Sequence, residues 1–235
     1  MTDFVKHDLV LFLVTSLHDF ISRQEPQRIL SPPTRQEKYA EDILMSADNI
    51  IECINQIYFT IELLSGFRKR NNTKMNRHDY IVFMIENFYL RITSVFDRSL
   101  RFTNLVFEIG LPEKECREST IIKNNKIKNT QTGETLKKLN NIIGDFKMIR
   151  NHVAHSQGFF DEKLKSVATY HFLIESNDNK EMKMYDHFIK TKADNYIKKK
   201  KSEFTKITVQ FEEIISELFN NVLPIVKTNH KKYNE

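Results

Sequence analysis

Cysteine, proline and glycine are scarce in this sequence, and tryptophan is absent. The 235 residues include two cysteines, five prolines and five glycines. Cys53 and Cys116 form no C-x-x-C pair, and neither has a histidine at metal-ligand spacing, which argues against a zinc site or a disulfide framework. We therefore expect a protein of the reducing cytoplasm, with no metal or other cofactor.

Long hydrophobic runs are missing as well. A membrane-spanning helix needs about 20 consecutive apolar residues, whereas every long segment of this chain mixes apolar with charged positions. The amino-terminal stretch from Leu9 to Ile21 is broken by Ser16, His18 and Asp19 and lacks a small-residue cleavage site. We expect neither a signal peptide nor a membrane partner.

The charge balance is only mildly basic. Lysine and arginine number 36 against 31 acidic residues, which gives a net charge of +5. This excess permits nucleic-acid binding but does not establish it. The sequence also has no Gly-rich phosphate loop, no nucleophile elbow and no H-E-x-x-H pair, the motifs of three large enzyme classes.

Apolar residues recur at helical spacing over long segments, which glycine and proline separate. This spacing predicts a series of α-helices and no strand. The predicted helices are Phe4–Ile21, Glu37–Leu64, one from near Tyr80 to near Gly110, one from Leu136 to near Gly158, Asp161–Leu173, and one over Phe204–Val222.

The segments between these helices carry their own signals. Pro26, Pro32 and Pro33 should stop any helix between the first two. Residues 113–134 are rich in Lys, Asn and Thr without a sustained apolar period, which predicts a mobile loop with room for a short turn at its start. Pro224 should kink or end the last helix.

These patterns together predict the fold class. We expect an all-α protein, a bundle of long antiparallel helices. No clear boundary divides the chain, so residues 1–235 should form a single domain with amino- and carboxy-terminal helical extensions.

One short segment, residues 146–156, stands out chemically. At about 100° per residue its side chains sort into an apolar stripe and a separate polar face. The apolar stripe, expected to be buried, consists of Phe146, Ile149 and Val153. The polar face consists of Lys147, Asn151 and His155. Arg150 falls between the two, where its stem can pack and its guanidinium can emerge beside the polar face.

Arg150 and His155 are five positions apart, hence about 140° apart around an ideal helix. Their side chains therefore do not meet automatically. Two arrangements would bring them together: the length of the arginine and unwinding near Gly158 suffice, or a second copy of the helix completes the site across a two-fold axis.

These residue types suit the cleavage of RNA without a metal. The reaction requires a proton to leave the 2′-hydroxyl, another to reach the departing oxygen, and a fixed cation near the phosphate. Histidine can exchange the proton, and arginine offers a planar fork that fits phosphate oxygens. Asn151 can hold the imidazole of His155 or the phosphate by hydrogen bonding.

The run Arg-Asn-His-Val-Ala-His over residues 150–155 resembles the R-x-x-x-x-H signature of HEPN proteins (higher eukaryotes and prokaryotes nucleotide-binding). In that superfamily the motif lies on a late helix of an α-bundle, and dimerisation brings two copies into an RNA-cleaving cleft. Many members are toxins or antiviral effectors. The likeness covers roughly residues 80–173, and it implies a homodimeric endoribonuclease with RNA as substrate and an antitoxin or other regulatory protein as partner.

The resemblance also implies roles for individual residues. Arg150 would bind the phosphate, Asn151 would support it, and His155 would transfer the proton, whereas His152 receives no role. In HEPN toxins that a partner nucleotidyltransferase silences, a tyrosine stands two positions after the motif histidine. Gln157 occupies that position here, so we do not expect this modification.

Three further basic residues are candidates for RNA contact. Lys147 lies on the polar face of the motif helix, and Arg91 and Arg98 share a face because they are seven positions apart. The alternative for Lys147 is an ordinary solvated lysine. For the two arginines the alternative is an ion pair within or between helices.

Two other functions stay open. A HEPN-like bundle could bind RNA, nucleotides or a protein partner without performing chemistry, and it would then retain RNA without cutting it. A purely structural helical scaffold would be insensitive to substitution of either Arg150 or His155.

Overall fold

The computed structural model describes residues 3–23, 32–68, 75–155, 158–176 and 182–233. Seven α-helices and two 3₁₀-helices form the regular structure of these residues, which include no strand. The predicted all-α fold is confirmed. The α-helices are α1 (Asp8–Arg23), α2 (Arg35–Leu63), α3 (Arg77–Val106), α4 (Glu118–Ile121), α5 (Gln131–His155), α6 (Glu162–Ser176) and α7 (Met182–Lys232), and the 3₁₀-helices are Phe4–Lys6 and Glu113–Glu115.

A capping box fixes the start of α2. The amide of Thr34 donates to a carboxylate oxygen of Glu37 at 2.8 Å, and the amide of Glu37 donates to Oγ1 of Thr34 at 3.2 Å. Arg23, the last residue of α1, donates to both carboxylate oxygens of Glu37 at 2.7 Å. Of the three prolines expected between these helices, two directly precede the cap, and Pro26 lies outside the described residues.

Pro224 was expected to kink or end the last helix. The ending is wrong, because α7 continues through Pro224 to Lys232, and the kink stays a prediction. Proline removes one backbone hydrogen bond and costs a helix interior about 3 kcal/mol. The side chains of Val222 and Val226, on either side of this exposed proline, are completely buried. Burial of such side chains contributes about 1.5–3 kcal/mol each, which is enough to offset the proline.

The loop predicted over residues 113–134 contains more structure than expected. A 3₁₀-helix and α4 lie within it, and α5 already begins at Gln131. Ile121, Ile122 and Ile127 are buried, so single isoleucines anchor the segment. A helix of one turn is too short to show an apolar period, which is why the sequence pattern missed it.

The chain divides into two compact units, each assembled from segments that are distant in sequence. The first unit comprises Met1–Ile54, Ser94–Ile143 and Val209–Glu235. The second unit comprises Asn55–Thr93 and Gly144–Thr208. The expectation of one domain over the whole chain stays a prediction.

Aromatic rings fill the core of the first unit. The ring centroids of Phe4 and Phe102 lie 5.8 and 5.4 Å from that of Phe219 on α7. Near them, the hydroxyl of Thr135 on α5 donates to Glu217 and accepts a hydrogen bond from Asn221, both at 3.0 Å. These contacts join α3, α5 and α7 within the unit.

In the second unit, α2 and α3 run antiparallel. The phenol of Tyr80 donates to the carbonyl oxygen of Leu63 at 2.6 Å, whereas Asn87, two turns later on α3, donates to Thr60, earlier on α2, at 3.4 Å. The ring of Phe88 stacks on a phenylalanine of α7, which brings a third helix into this core. The carboxy-terminal part of α5, with Lys147, Arg150, Asn151 and His155, belongs to this unit.

Candidate functional site

The last turns of α5 carry four of the predicted site residues. Asn151 and His155 are exposed, and Lys147 and Arg150 are half-buried. The Nη1 atom of Arg150 donates to Oδ1 of Asn151 at 3.1 Å, so the structure brings these two side chains together. The helix itself ends at His155.

The distance from Arg150 to His155 is set by the helix that carries both. Because α5 is helical as far as His155, the two residues are separated by about 7.5 Å along the axis and about 140° around it. Unwinding between them therefore does not bring the guanidinium to the imidazole. The reach of the arginine side chain and a second copy of the helix remain as the two ways to complete the site.

The apolar stripe of this helix is less buried than the sequence indicates. Phe146, Ile149 and Val153 are all only half-buried, so the expectation of a buried stripe is wrong in degree. Phe146 nevertheless packs on Tyr89 of α3, with 5.8 Å between ring centroids. The stripe rests on α3 through this contact while its outer edge stays accessible.

The opposite face of α5 presents an apolar side chain among polar ones. Met148 is 75% exposed. His152 and His155 follow it at four and seven positions, so the three side chains share one face of the helix, and both histidines are exposed. An exposed methionine is typical of protein interfaces, because its flexible side chain adapts to a partner.

A buried tyrosine of α3, Tyr89, packs against α5 and the segment that follows it. The ring centroid of Tyr89 lies 5.8 Å from those of Phe146 and Phe159 and 5.7 Å from that of Phe204. Burial raises the pKa of Tyr89 to about 12, an effect to which the nearby carboxylates Glu203 and Asp161 add. The phenol of Tyr89 is therefore neutral over the physiological pH range.

Two carboxylates hold the segment that follows α5. The backbone amide of Phe159 donates to Oε1 of Glu86 on α3 at 2.7 Å. Asp161 accepts the amide of Lys163 at 2.9 Å and so caps α6, while its second oxygen accepts the phenol of Tyr196 at 2.7 Å. Sequence analysis missed Glu86 and Tyr196. Only Asp161, the first residue of the predicted helix Asp161–Leu173, carried a recognisable signal.

The two arginines of α3 tie that helix to α2. In the second unit Arg91 donates to Asn87 at 2.8 Å and also to Gln56. In the first unit Arg98 donates to the carbonyl oxygen of Asn49 at 3.0 Å and to its Oδ1 atom at 3.2 Å. The guanidiniums therefore join helices through amide groups, and their contact with RNA stays a prediction.

The donor sets in the described part of the chain do not suggest a metal centre. Within those residues, no group of three or more His, Cys, Asp or Glu side chains lies close enough together to hold a metal ion. Nor does any helix there combine the length and the apolar character that a bilayer span requires. Gln157, which stands in place of the modified tyrosine of some HEPN toxins, lies outside the described residues.

Comparison with known families identifies the fold. A family model described as HEPN_Cthe2314-like HEPN matches residues 39–232, which is most of the chain and includes the whole of α3 and α5. The chain belongs to this HEPN family. The HEPN match extends well beyond residues 80–173, over which the sequence resemblance was expected, and it places the chain in a nucleotide-binding, ribonuclease-type superfamily. No curated protein and no solved structure matches the chain significantly.

Proposed function

We propose that this HEPN protein is a metal-independent endoribonuclease. Arg150 binds the scissile phosphate, His155 transfers a proton, and Asn151 holds the guanidinium. The observation that carries the proposal is the hydrogen bond between Arg150 and Asn151 on the helix that ends at the exposed His155, in a chain of the HEPN family.

The proposed reaction is an internal transfer at phosphorus. The 2′-oxygen loses its proton and bonds to the phosphorus, the bond from phosphorus to the 5′-oxygen breaks, and the 5′-oxygen takes up a proton. The products are a 2′,3′-cyclic phosphate and a free 5′-hydroxyl. His155 carries one of the two protons, and the positive charge of Arg150 stabilises the extra charge on the phosphate oxygens.

We propose further that the enzyme acts as a homodimer. Arg150 and His155 diverge by about 140° on one helix, so the guanidinium of one copy and the imidazole of the other converge more readily across a two-fold axis. The exposed Met148 supports the same arrangement, because it offers an apolar contact on the face that carries His155.

The decisive experiment compares two histidines of the same helix. His155→Ala should abolish cleavage of RNA and leave the helical circular dichroism unchanged, whereas His152→Ala, at a neighbouring exposed position, should retain most activity. Cleavage should persist in a chelator of divalent metals. Undiminished cleavage by purified His155→Ala protein overturns the assignment, and RNA binding without cleavage by the unsubstituted protein favours the non-catalytic binding module instead.

As a toxin or antiviral effector, such an enzyme would harm the cell that expresses it unless an antitoxin or regulatory protein restrains it. Expression of the unsubstituted chain should therefore slow growth. Arg150→Ala should relieve that effect at an equal protein level, because the substitution removes the cation that binds the phosphate. Equal toxicity of both proteins contradicts a nuclease origin of the effect.

A further inference from the structure

We propose that Glu86 of α3 is a positioning residue. By binding the backbone at Phe159, shortly after α5 ends, it sets the orientation of His155. Its catalytic consequence rests on the proposed ribonuclease function. Its structural part does not, because it concerns only the contacts between α3 and the end of α5. Glu86 itself is not expected to touch RNA.

The first observation is the close fit of the carboxylate against the backbone after α5. Oε1 of Glu86 accepts the amide of Phe159 at 2.7 Å. A Cβ atom added to Gly158 would lie 3.0 Å from the same oxygen. The chain is free to approach so closely because Gly158 has no side chain, and its φ of +83° is a conformation that other residues rarely adopt. The same carboxylate oxygen therefore binds Phe159 and leaves no room for a side chain at Gly158.

The second observation is that α3 contacts the chain on both sides of the motif, on α5 before it and in the segment that follows α5. Tyr89 lies three positions after Glu86, on the adjacent turn of the same face of α3. Its ring contacts Phe146, which precedes the motif, and Phe159, which follows it, at 5.8 Å in both cases. The turn that carries His155 lies between these two contacts in the sequence.

The two contacts differ in what they can determine. A ring contact is tolerant of rotation and small displacements, whereas a hydrogen bond from a peptide amide to a carboxylate is directional and charge-assisted. The ring of Tyr89 supplies packing beneath α5. The carboxylate of Glu86 supplies the directional restraint at the end of the helix, four residues beyond His155.

The test uses three substitutions of this glutamate and one control. Glu86→Ala removes the acceptor, Glu86→Asp withdraws it by one methylene group, and Glu86→Gln keeps an oxygen at the same place. Glu62→Ala removes an exposed carboxylate from the same unit and serves as the control. Hydrogen exchange of the amides over residues 150–155, the kcat and KM of RNA cleavage, and the thermal midpoint are measured for each protein.

We expect Glu86→Ala to speed exchange over residues 150–155 about tenfold and to lower kcat about tenfold with little change in KM, as the loss of one hydrogen bond to a charged group implies. Glu86→Gln should restore both values to near those of the unsubstituted protein, and Glu62→Ala should change neither. If Glu86→Ala does not fold, Glu86→Asp provides the same comparison.

Two results overturn the proposal. One is exchange at residues 150–155 that is equal in the Glu86→Ala and Glu62→Ala proteins. The other is a loss of activity that follows the thermal midpoint alone and is not restored by glutamine. If the unsubstituted protein cleaves no RNA, the ribonuclease function fails, but the exchange measurements still decide whether Glu86 orders the end of α5.

Discussion

The phenol of Tyr196 on α7 donates a 2.7 Å hydrogen bond to Oδ2 of Asp161, the residue directly before α6. The other carboxylate oxygen, Oδ1, caps α6 through the amide of Lys163. Asp161 therefore both starts one helix and binds another, within the unit that contains His155. The segment between α5 and α6 is thus attached to the body of its unit by side-chain hydrogen bonds as well as by apolar packing.

The hydrogen bond between Tyr196 and Asp161 should contribute measurably to stability. Tyr196→Phe keeps the ring and removes the donor, so we expect it to lower the free energy of unfolding by about 1–2 kcal/mol. Asp161→Ala should cost more, because it also removes the cap of α6. Urea unfolding measures both, and the double substitution should cost less than the sum of the single ones. Strict additivity would show that the two groups do not interact.

Buried tyrosines should make stability fall at alkaline pH. Burial raises the pKa of Tyr89 and of Tyr39 to about 12, from an ordinary value of 10.0. A group whose pKa is higher in the folded state stabilises fully below its unfolded pKa, and that stabilisation is lost as the pH rises through the folded value. We therefore expect the free energy of unfolding to be independent of these phenols below pH 10 and to decrease between pH 10 and 12.

Absorbance of the tyrosinate ion tests this expectation. The native protein should titrate part of its tyrosine absorbance above the range seen in denaturant, and Tyr89→Phe should reduce that late fraction. Identical titration curves in native and denaturing buffer would contradict the burial of these rings.

Two glycines close to the motif should respond in opposite directions to alanine. Gly144 lies inside α5, and a Cβ atom added there meets no atom within 4 Å. Alanine at this position should stabilise the protein by up to about 1 kcal/mol, because it favours the helix. Gly158 has a φ of +83°, and a Cβ atom there would press on Glu86, so Gly158→Ala should destabilise by about 1–2 kcal/mol or more. Thermal unfolding of the two variants decides the signs.

Parts of this molecule that depend on local sequence were predicted well. The apolar period over residues 37–64 is long and uninterrupted, and the observed α2 differs from it by two residues at one end and one at the other. The position of the motif on α5 was likewise predictable, since helix spacing alone sorts Lys147, Asn151 and His155 onto one face.

The unpredicted parts depend on contacts between distant segments. Glu86 and Phe159 are 73 positions apart, and no pattern near either residue indicates their hydrogen bond. The outcome at Pro224 also depends on tertiary contacts, because burial of the valines on either side of it offsets the cost of proline within α7. Short elements such as α4 show no apolar period, because one turn is too short for it. Tertiary packing holds such a turn in place.

The capping box at α2 should make the protein sensitive to acid. Although burial opposes it, the amide of Thr34 and the guanidinium of Arg23 hold the pKa of Glu37 below its usual range. A carboxyl whose pKa is lowered on folding stabilises above its unfolded pKa of 4.5, and the effect is lost as the pH falls further. Thr34→Ala should cost about 1 kcal/mol at neutral pH through loss of the cap.

Stability is measured between pH 7 and pH 3 in the unsubstituted protein and in the Thr34→Ala and Glu37→Gln variants. Glu37→Gln should flatten the acid dependence, because an amide has no proton to gain. A parallel decline in the Glu37→Gln protein and the unsubstituted protein would mean that other carboxyls control the acid limit.

The proposed dimer predicts that Met148 lies in the interface, and a second exposed residue, Phe172, serves as the control. Met148 on α5 and Phe172 on α6 are 75% and 72% exposed, so each offers a comparable apolar surface. If α5 forms the interface, Met148→Glu places a charge against its partner and should weaken dimerisation at least tenfold, whereas Phe172→Glu should not. Light scattering coupled to size-exclusion chromatography measures the mass. Dissociation by Phe172→Glu alone would place the interface on α6, and the guanidinium and imidazole of α5 would then have to meet within one chain.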